Sequence, residues 1–185
     1  TYNIKAPFPE EFNRQVVSKV ADMHLAPTNF AKKNLISEGV QESQILVTGN
    51  TVIDALLLAL DCIENDKIKK DKIIDVLNSH LPFDWIKNRF ILITGHRREN
   101  FGNGFREICK AIKELADKYQ NVHFVYPLHL NPSVQQPANE FLGESKNIHL
   151  IPPLEYEYFI MLLNNCHLVM TDSGGIQEEA PSLGK

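Results

Sequence analysis

The chain has 185 residues, 43% hydrophobic and 23% charged, with a formal net charge of −4. This is the composition of a folded globular chain, long enough for one ordinary domain or a domain with part of a second. The acidic balance argues against a nucleic-acid binder held by bulk charge, and no apolar run approaches the ~18 residues of a membrane span, so neither partner is expected.

The N-terminal part begins with a stiff approach to a helix, Pro7-Phe8-Pro9-Glu10-Glu11. Pro9 suits a first helical turn, and the two carboxylates favour the positive end of the helix dipole. Val16, Val17 and Val20 supply apolar positions. Residues 21–27 read as a short strand. Thr28 then caps a helix over 29–38 that Gly39 stops. A second strand follows over 44–48, Gly49-Asn50 breaks it, and Asn50 or Thr51 caps an apolar helix to about residue 63. Residues 65–72 are charged and helix-friendly, and 79–85 read as a loop with Pro82. This stretch is expected to be a connector, with Trp85 a packing residue.

A regular alternation begins at Phe90. Strands are predicted over 90–94, 122–126, 148–151 and 167–170. Between them Phe105, Ile108, Ile112, Leu115 and Tyr119 recur at helical spacing, and helices are predicted over 132–142 and 155–164. Strands separated by helices of this length imply an α/β fold with a parallel sheet and right-handed crossovers. In such folds ligands bind beyond the carboxyl ends of the strands.

Three of those strand ends carry polar chemistry. After the first stands Gly95-His96-Arg97-Arg98-Glu99-Asn100, where His96 can donate to a phosphate and the Arg97 fork can grip its oxygens. A solvated, salt-bridged turn is the alternative. After the second stands Pro127-Leu128-His129-Leu130-Asn131-Pro132, in which His129 is a ligand group or simply a packed histidine. After the fourth stands Thr171-Asp172-Ser173-Gly174-Gly175-Ile176-Gln177-Glu178-Glu179. Ser173 is a natural N-cap, the two glycines admit a ligand close to the backbone, and a helix N-terminus attracts anions. Glu179, roughly one turn further in, is placed to accept hydrogen bonds from a ribose diol. An ordinary strand–turn–helix corner is the alternative.

Familiar sites are missing from the sequence. Gly102 and Gly104 lack the third glycine of a dinucleotide fingerprint, and there is no phosphate-loop lysine motif, HExxH, CxxC or GxSxG. His24, His80, His123, His149 and His167 do not fall at metal-ligand spacing, so they are assigned structural or surface roles and no metal is expected. Cys62, Cys109 and Cys166 each sit in an apolar context and are expected to be reduced and buried. With no signal peptide legible, a cytoplasmic protein is the expectation. Thr1 is not an initiator, and the chain stops at Pro181-Ser182-Leu183-Gly184-Lys185 where a further strand would begin. A piece of a longer protein is therefore expected.

Several long motifs together carry a resemblance. Pro7-Phe8-Pro9-Glu10-Glu11-Phe12-Asn13-Arg14, Val47-Thr48-Gly49-Asn50-Thr51-Val52-Ile53-Asp54, Thr94-Gly95-His96-Arg97-Arg98-Glu99, His129-Leu130-Asn131-Pro132 and the run from Thr171 to Lys185 all look like the non-hydrolysing bacterial UDP-N-acetylglucosamine 2-epimerases. The resemblance covers essentially the whole chain, in family order. It implies a glycosyltransferase-B-like architecture of two Rossmann-like domains, incomplete here: 1–49 as the end of the first domain and 50–185 as most of the second, UDP-binding one. It implies interconversion of UDP-N-acetylglucosamine and UDP-N-acetylmannosamine for bacterial surface polysaccharide, without an added cofactor, by a homodimeric parent. In that chemistry the C2 proton is removed, UDP is expelled to leave a glycal, and UDP adds back after C2 is reprotonated from the other face.

Carried over by position, Glu10 and His96 match catalytic residues of the family, His96 lying near the diphosphate. Ser173, Gly174 and Gly175 match its phosphate corner, Glu179 its ribose contact and Phe159 its uracil contact, through the backbone. Arg97 and His129 match residues associated with substrate and, in some members, with a regulatory second UDP-sugar. Ala6 stands where serine is common and Phe12 where a smaller residue is frequent. Residues 65–88 match weakly. The 185 residues hold only one family acid, so little turnover is expected of them alone. A glycosyltransferase of the same architecture and an inactive UDP-binding fragment are the rival readings.

Overall fold

The computed structural model describes residues 3–95 and 102–185, which divide into two compact units, Thr1–Asp54 and Ala55–Lys185. The division falls in the first turn of a helix, a few residues beyond Gly49.

In the first unit, α1 (Glu10–Val20) carries Glu10 and Glu11 in its first turn and Lys19 in its last, the placement the helix dipole favours. Strand β1 (His24–Ala26) leads to α2 (Asn29–Ser37), whose start is capped by Thr28 Oγ1 accepting from Ala31 N–H at 3.0 Å. Gly39 takes φ 89°, the left-handed turn that ends the helix. A single 3-10 turn, Glu42–Gln44, precedes β2 (Ile45–Val47), which pairs in parallel with β1, His24 opposite Ile45. This unit buries little: among its described residues only Glu11, Ala26 and Ile45 are buried. Val16, Val17 and Val20 form an apolar row on α1, but an exposed one.

The second unit is a four-stranded parallel sheet between two helical layers. Its elements run α3 (Thr51–Asn65), α4 (Lys67–His80), β3 (Phe90–Thr94), α5 (Asn103–Lys118), β4 (His123–Pro127), α6 (Pro132–Leu142), β5 (Ile148–Ile151), α7 (Tyr156–Asn165), β6 (Leu168–Thr171) and α8 (Gly174–Ser182). The sheet order is β5-β4-β3-β6. The alternation of strand residues assigns each to a side. Phe90, Leu92, Val125 and Ile151 pack with α3, α4, α7 and α8. Ile93, Phe124, Tyr126 and Ile148 pack with α5 and α6.

Two expectations are corrected. Residues 65–85 are not a connector. Asp66 caps α4 by accepting from Lys69 N–H at 3.0 Å, and Ile73, Leu77, Leu81 and Trp85 are core residues. The lysines of α4 hide an i, i+4 apolar row that is narrow but complete. Trp85 is a packing residue, buried, with its Nε1–H donated to Asn78 Oδ1 at 2.9 Å. Cys109 and Cys166 are buried, but Cys62 is exposed, because Leu60 and Ile63 occupy the inward face of α3.

Candidate functional site

Strand order places the site before any side chain does. From β3 the chain steps outward through β4 to β5, then returns across the sheet to form β6 on the other flank of β3. The connections leaving β3 and β6 therefore depart to opposite faces, which opens a crevice at their carboxyl ends. Two of the three loops singled out in the sequence begin there, at Gly95 and at Asp172.

On the β6 side, α8 starts at Gly174 with Gly175 next, both exposed. The N–H groups of this first turn have no intrahelical acceptor and sit at the positive end of the helix dipole. A Cβ on Gly175 would meet nothing of the protein nearer than Ser173 Oγ, 4.0 Å away, so the fold itself does not demand glycine there. Ser173 holds the N-cap position with extended backbone, yet its hydroxyl makes no capping bond. Instead its own N–H is donated to Thr171 Oγ1 at 3.0 Å. Glu179 lies further along α8 and is buried, and burial raises its carboxyl above the ordinary range. Tyr156 at the start of α7 feels the Glu179 charge, and burial together with that charge raises its phenol.

On the β3 side, Thr94 Oγ1 lies 2.6 Å from Thr171 Oγ1 across the paired strands, and Asp172 N–H donates to Thr94 O at 3.2 Å. Tyr126, from β4, donates its hydroxyl to the Gly95 carbonyl. Burial, with the nearby Cys109 and Asp172, raises the Tyr126 phenol, so it remains a donor. His96 and Arg97 lie outside the described residues.

The remaining sequence candidates are dispersed. His129 is exposed in the β4–α6 connection, with Nδ1 accepting from Asn131 N–H at 3.1 Å; it is not a packed histidine. Phe159, on α7, is partly buried against the core, and its N–H is donated to Glu155 O at 3.0 Å within the helix. Glu10 belongs to the first unit and is exposed.

Sequence reasoning passed over Glu11, the neighbour of Glu10. It is buried, and Arg14 binds it through Nε at 3.0 Å and Nη2 at 2.7 Å while reaching Glu38 at 2.8 Å. Bonding to Arg14 and then to Gln15 holds the Glu11 carboxyl down at about 2. Arg14 and Gln15 bind Glu11, and Arg14 is itself held by Glu38, the residue after α2, which no local signal reveals. It also missed a histidine pair: His123 Nδ1 and His149 Nε2 are 3.0 Å apart, with Phe83 stacked on both rings. No group of three metal-ligating side chains occurs among the described residues.

Comparison with known proteins bears on the fold and the family. Residues 1–185 match the family described as UDP-N-acetylglucosamine 2-epimerase. The UDP-N-acetylglucosamine 2-epimerase of Campylobacter jejuni is 50% identical over all 185 residues, and the chain spans about half of it, 48%. The crystal structure of UDP-GlcNAc 2-epimerase from Neisseria meningitidis bound to UDP-GlcNAc superposes with a TM-score of 0.88 at 48% identity, covering 100% of this chain and 48% of that one. The Methanocaldococcus jannaschii enzyme in complex with UDP-GlcNAc and UDP gives 0.74 at 33% identity, over 97% of this chain and 48% of that one. The α/β fold is thus the glycosyltransferase-B-like one of these epimerases. The chain belongs to the UDP-N-acetylglucosamine 2-epimerase family.

Proposed function

We propose that this chain carries the UDP-binding part of an enzyme that interconverts UDP-N-acetylglucosamine and UDP-N-acetylmannosamine for surface polysaccharide synthesis. One observation carries the reading: a glycine-fronted helix N-terminus opens at the β3/β6 switch point, with the carboxylate of Glu179 buried roughly one turn behind it. A diphosphate set on the Gly174 and Gly175 N–H groups directs its ribose toward Glu179. Crystal structures of relatives bound to UDP-GlcNAc and UDP support the choice of ligand.

The chemistry follows from what must be stabilised. Removing the C2 proton and expelling UDP leaves a glycal and puts negative charge on the departing diphosphate. Preorganised N–H dipoles at the start of α8 oppose that charge without reorganising. His96 and Arg97 supply donor and cationic groups from the loop after β3, and Glu10 supplies a carboxylate for proton transfer at the sugar. Phe159 and His129 are assigned to the uracil and the substrate or a second UDP-sugar. Residues 1–49 belong in this reading to the first Rossmann-like domain and 50–185 to the second, and the working protein is a cytoplasmic homodimer that uses no metal or added cofactor.

Calorimetry of UDP binding tests the site. The chain should bind UDP, and the Ser173→Ala/Glu179→Ala double variant, still folded by circular dichroism, should lose it. A folded wild-type chain that ignores UDP would sink the assignment.

A further inference from the structure

We propose that Thr94, Tyr126 and Thr171 form a hydroxyl clasp that holds the end of β3 at Gly95 and the Ser173-Gly174-Gly175 corner in register, making the three positioning residues for the diphosphate. The inference rests on the nucleotide site proposed above. Beyond Thr94 and Thr171 the two strands part, each chain leaving to its own face of the sheet. Among the described residues one backbone bond past this point, Asp172 N–H to Thr94 O at 3.2 Å, joins the two strand ends.

The side chains add to that link. Thr94 and Thr171 are register partners, so their side chains share a face, and their hydroxyl oxygens lie 2.6 Å apart. Thr171 Oγ1 also accepts from Ser173 N–H, which sets the backbone one residue before Gly174. On the other flank Tyr126 reaches from β4 and binds the Gly95 carbonyl, one residue before His96. The end of β3 is thus tied to both of its neighbours within two residues. The same residues line a cavity of about 190 Å³, together with Ile93, Ile112 and Met170.

Three hydroxyls at the rim of an otherwise apolar core need a reason. A buried polar group costs stability unless it is bonded, and valine or phenylalanine would fill the same space without that requirement. Each of these hydroxyls is bonded, and each bond ends on one of the two ligand-facing loops or joins their roots. The arrangement trades simple packing for a fixed distance between Gly95 and the Ser173 corner.

The test separates diphosphate from nucleoside. UDP and uridine affinities of the 185-residue chain are measured by NMR titration for the wild type and for Tyr126→Phe, Thr94→Val, Thr171→Val and Thr171→Ser. Tyr126→Phe and Thr171→Val should each bind UDP about threefold to tenfold more weakly, the loss expected of one hydrogen bond. Uridine affinity should not move, and Thr171→Ser should bind UDP as the wild type does. Thr94→Val leaves Ser173 N–H its acceptor and is the milder second variant; it should show the same selective loss. Unchanged UDP affinity in Tyr126→Phe and Thr94→Val overturns the clasp, and so does an equal loss for UDP and uridine, which marks general loosening. A folded wild-type chain that binds neither ligand overturns the nucleotide site itself, a different result from intact wild-type binding with indifferent variants.

Discussion

Gly175 shows how a single residue separates folding from binding. A Cβ there meets open space, so Gly175→Ala should leave stability unchanged or raise it by up to about 1 kcal/mol through helix propensity. In the proposed site its methyl would crowd the diphosphate, and crowding of that kind costs roughly 1–3 kcal/mol, about fivefold to a hundredfold in UDP affinity. Parallel thermal melts and UDP titrations of the variant check both halves. Glu11 is the reverse case, a residue whose charge serves the fold. Its carboxyl is held at about 2 against an ordinary 4.5, so between these values the unfolded chain binds more protons than the folded one. Stability from this group is fully present above pH 4.5 and is lost as pH falls through about 2. Glu11→Gln should flatten that acid limb, read by hydrogen exchange in α1 and α2. The sequence displayed the Gly-Gly corner after an apolar strand openly, while leaving a phosphate corner and an ordinary strand–turn–helix corner as alternatives. It did not distinguish Glu11 from Glu10, because the difference is made by Arg14 one turn on and by Glu38, 24 residues away at the end of α2.

At the scale of elements, α4 carries the sharpest expectation. Leu77 is fully buried in the layer that also holds Trp85, so Leu77→Ala should cost about 2–5 kcal/mol. Denaturant unfolding followed by the fluorescence of Trp85, the one tryptophan, measures it. The strand Phe90–Thr94 and the helix Pro132–Leu142 were legible to the residue, since a continuous apolar run and a proline-started amphipathic pattern each admit one reading. Helix α4 was half-hidden because four lysines surround its buried row. The histidine pair was invisible for a related reason: His123 and His149 stand on adjacent strands 26 residues apart, and only strand pairing joins them. Burial, and for His149 also the neighbouring His123, pushes both imidazoles down, His149 to about 4. Both shifts favour the neutral rings under Phe83 in the folded state.

Across the whole chain the two units differ in kind. The second closes two apolar layers on a parallel sheet, and its strand–helix alternation was readable because each crossover helix presents a stripe to one face. The first exposes Phe8, Val17, Val20, Met23 and Phe30 and buries almost nothing, although its helices and strands were also foreseeable. Local signals suffice to form α1, α2 and the β1–β2 pair; they say nothing about how much apolar surface those elements will cover. The bulk of the chain's stability belongs accordingly to the second unit, where the apolar burial lies. The site proposed for UDP sits on that unit, at the one place where its sheet changes direction.

The cysteines turn this layered packing into something that can be timed. Cys62 faces solvent, whereas Cys109 belongs to the layer of α5 and α6 and Cys166 to the opposite layer, each with a thiol that burial pushes up to about 11. A maleimide should modify Cys62 at once and the other two only when their own side of the sheet opens. If Cys109 and Cys166 react at one common rate, the unit unfolds as a single cooperative body. If one precedes the other, a layer peels away first, and mass spectrometry of the labelled peptides names it.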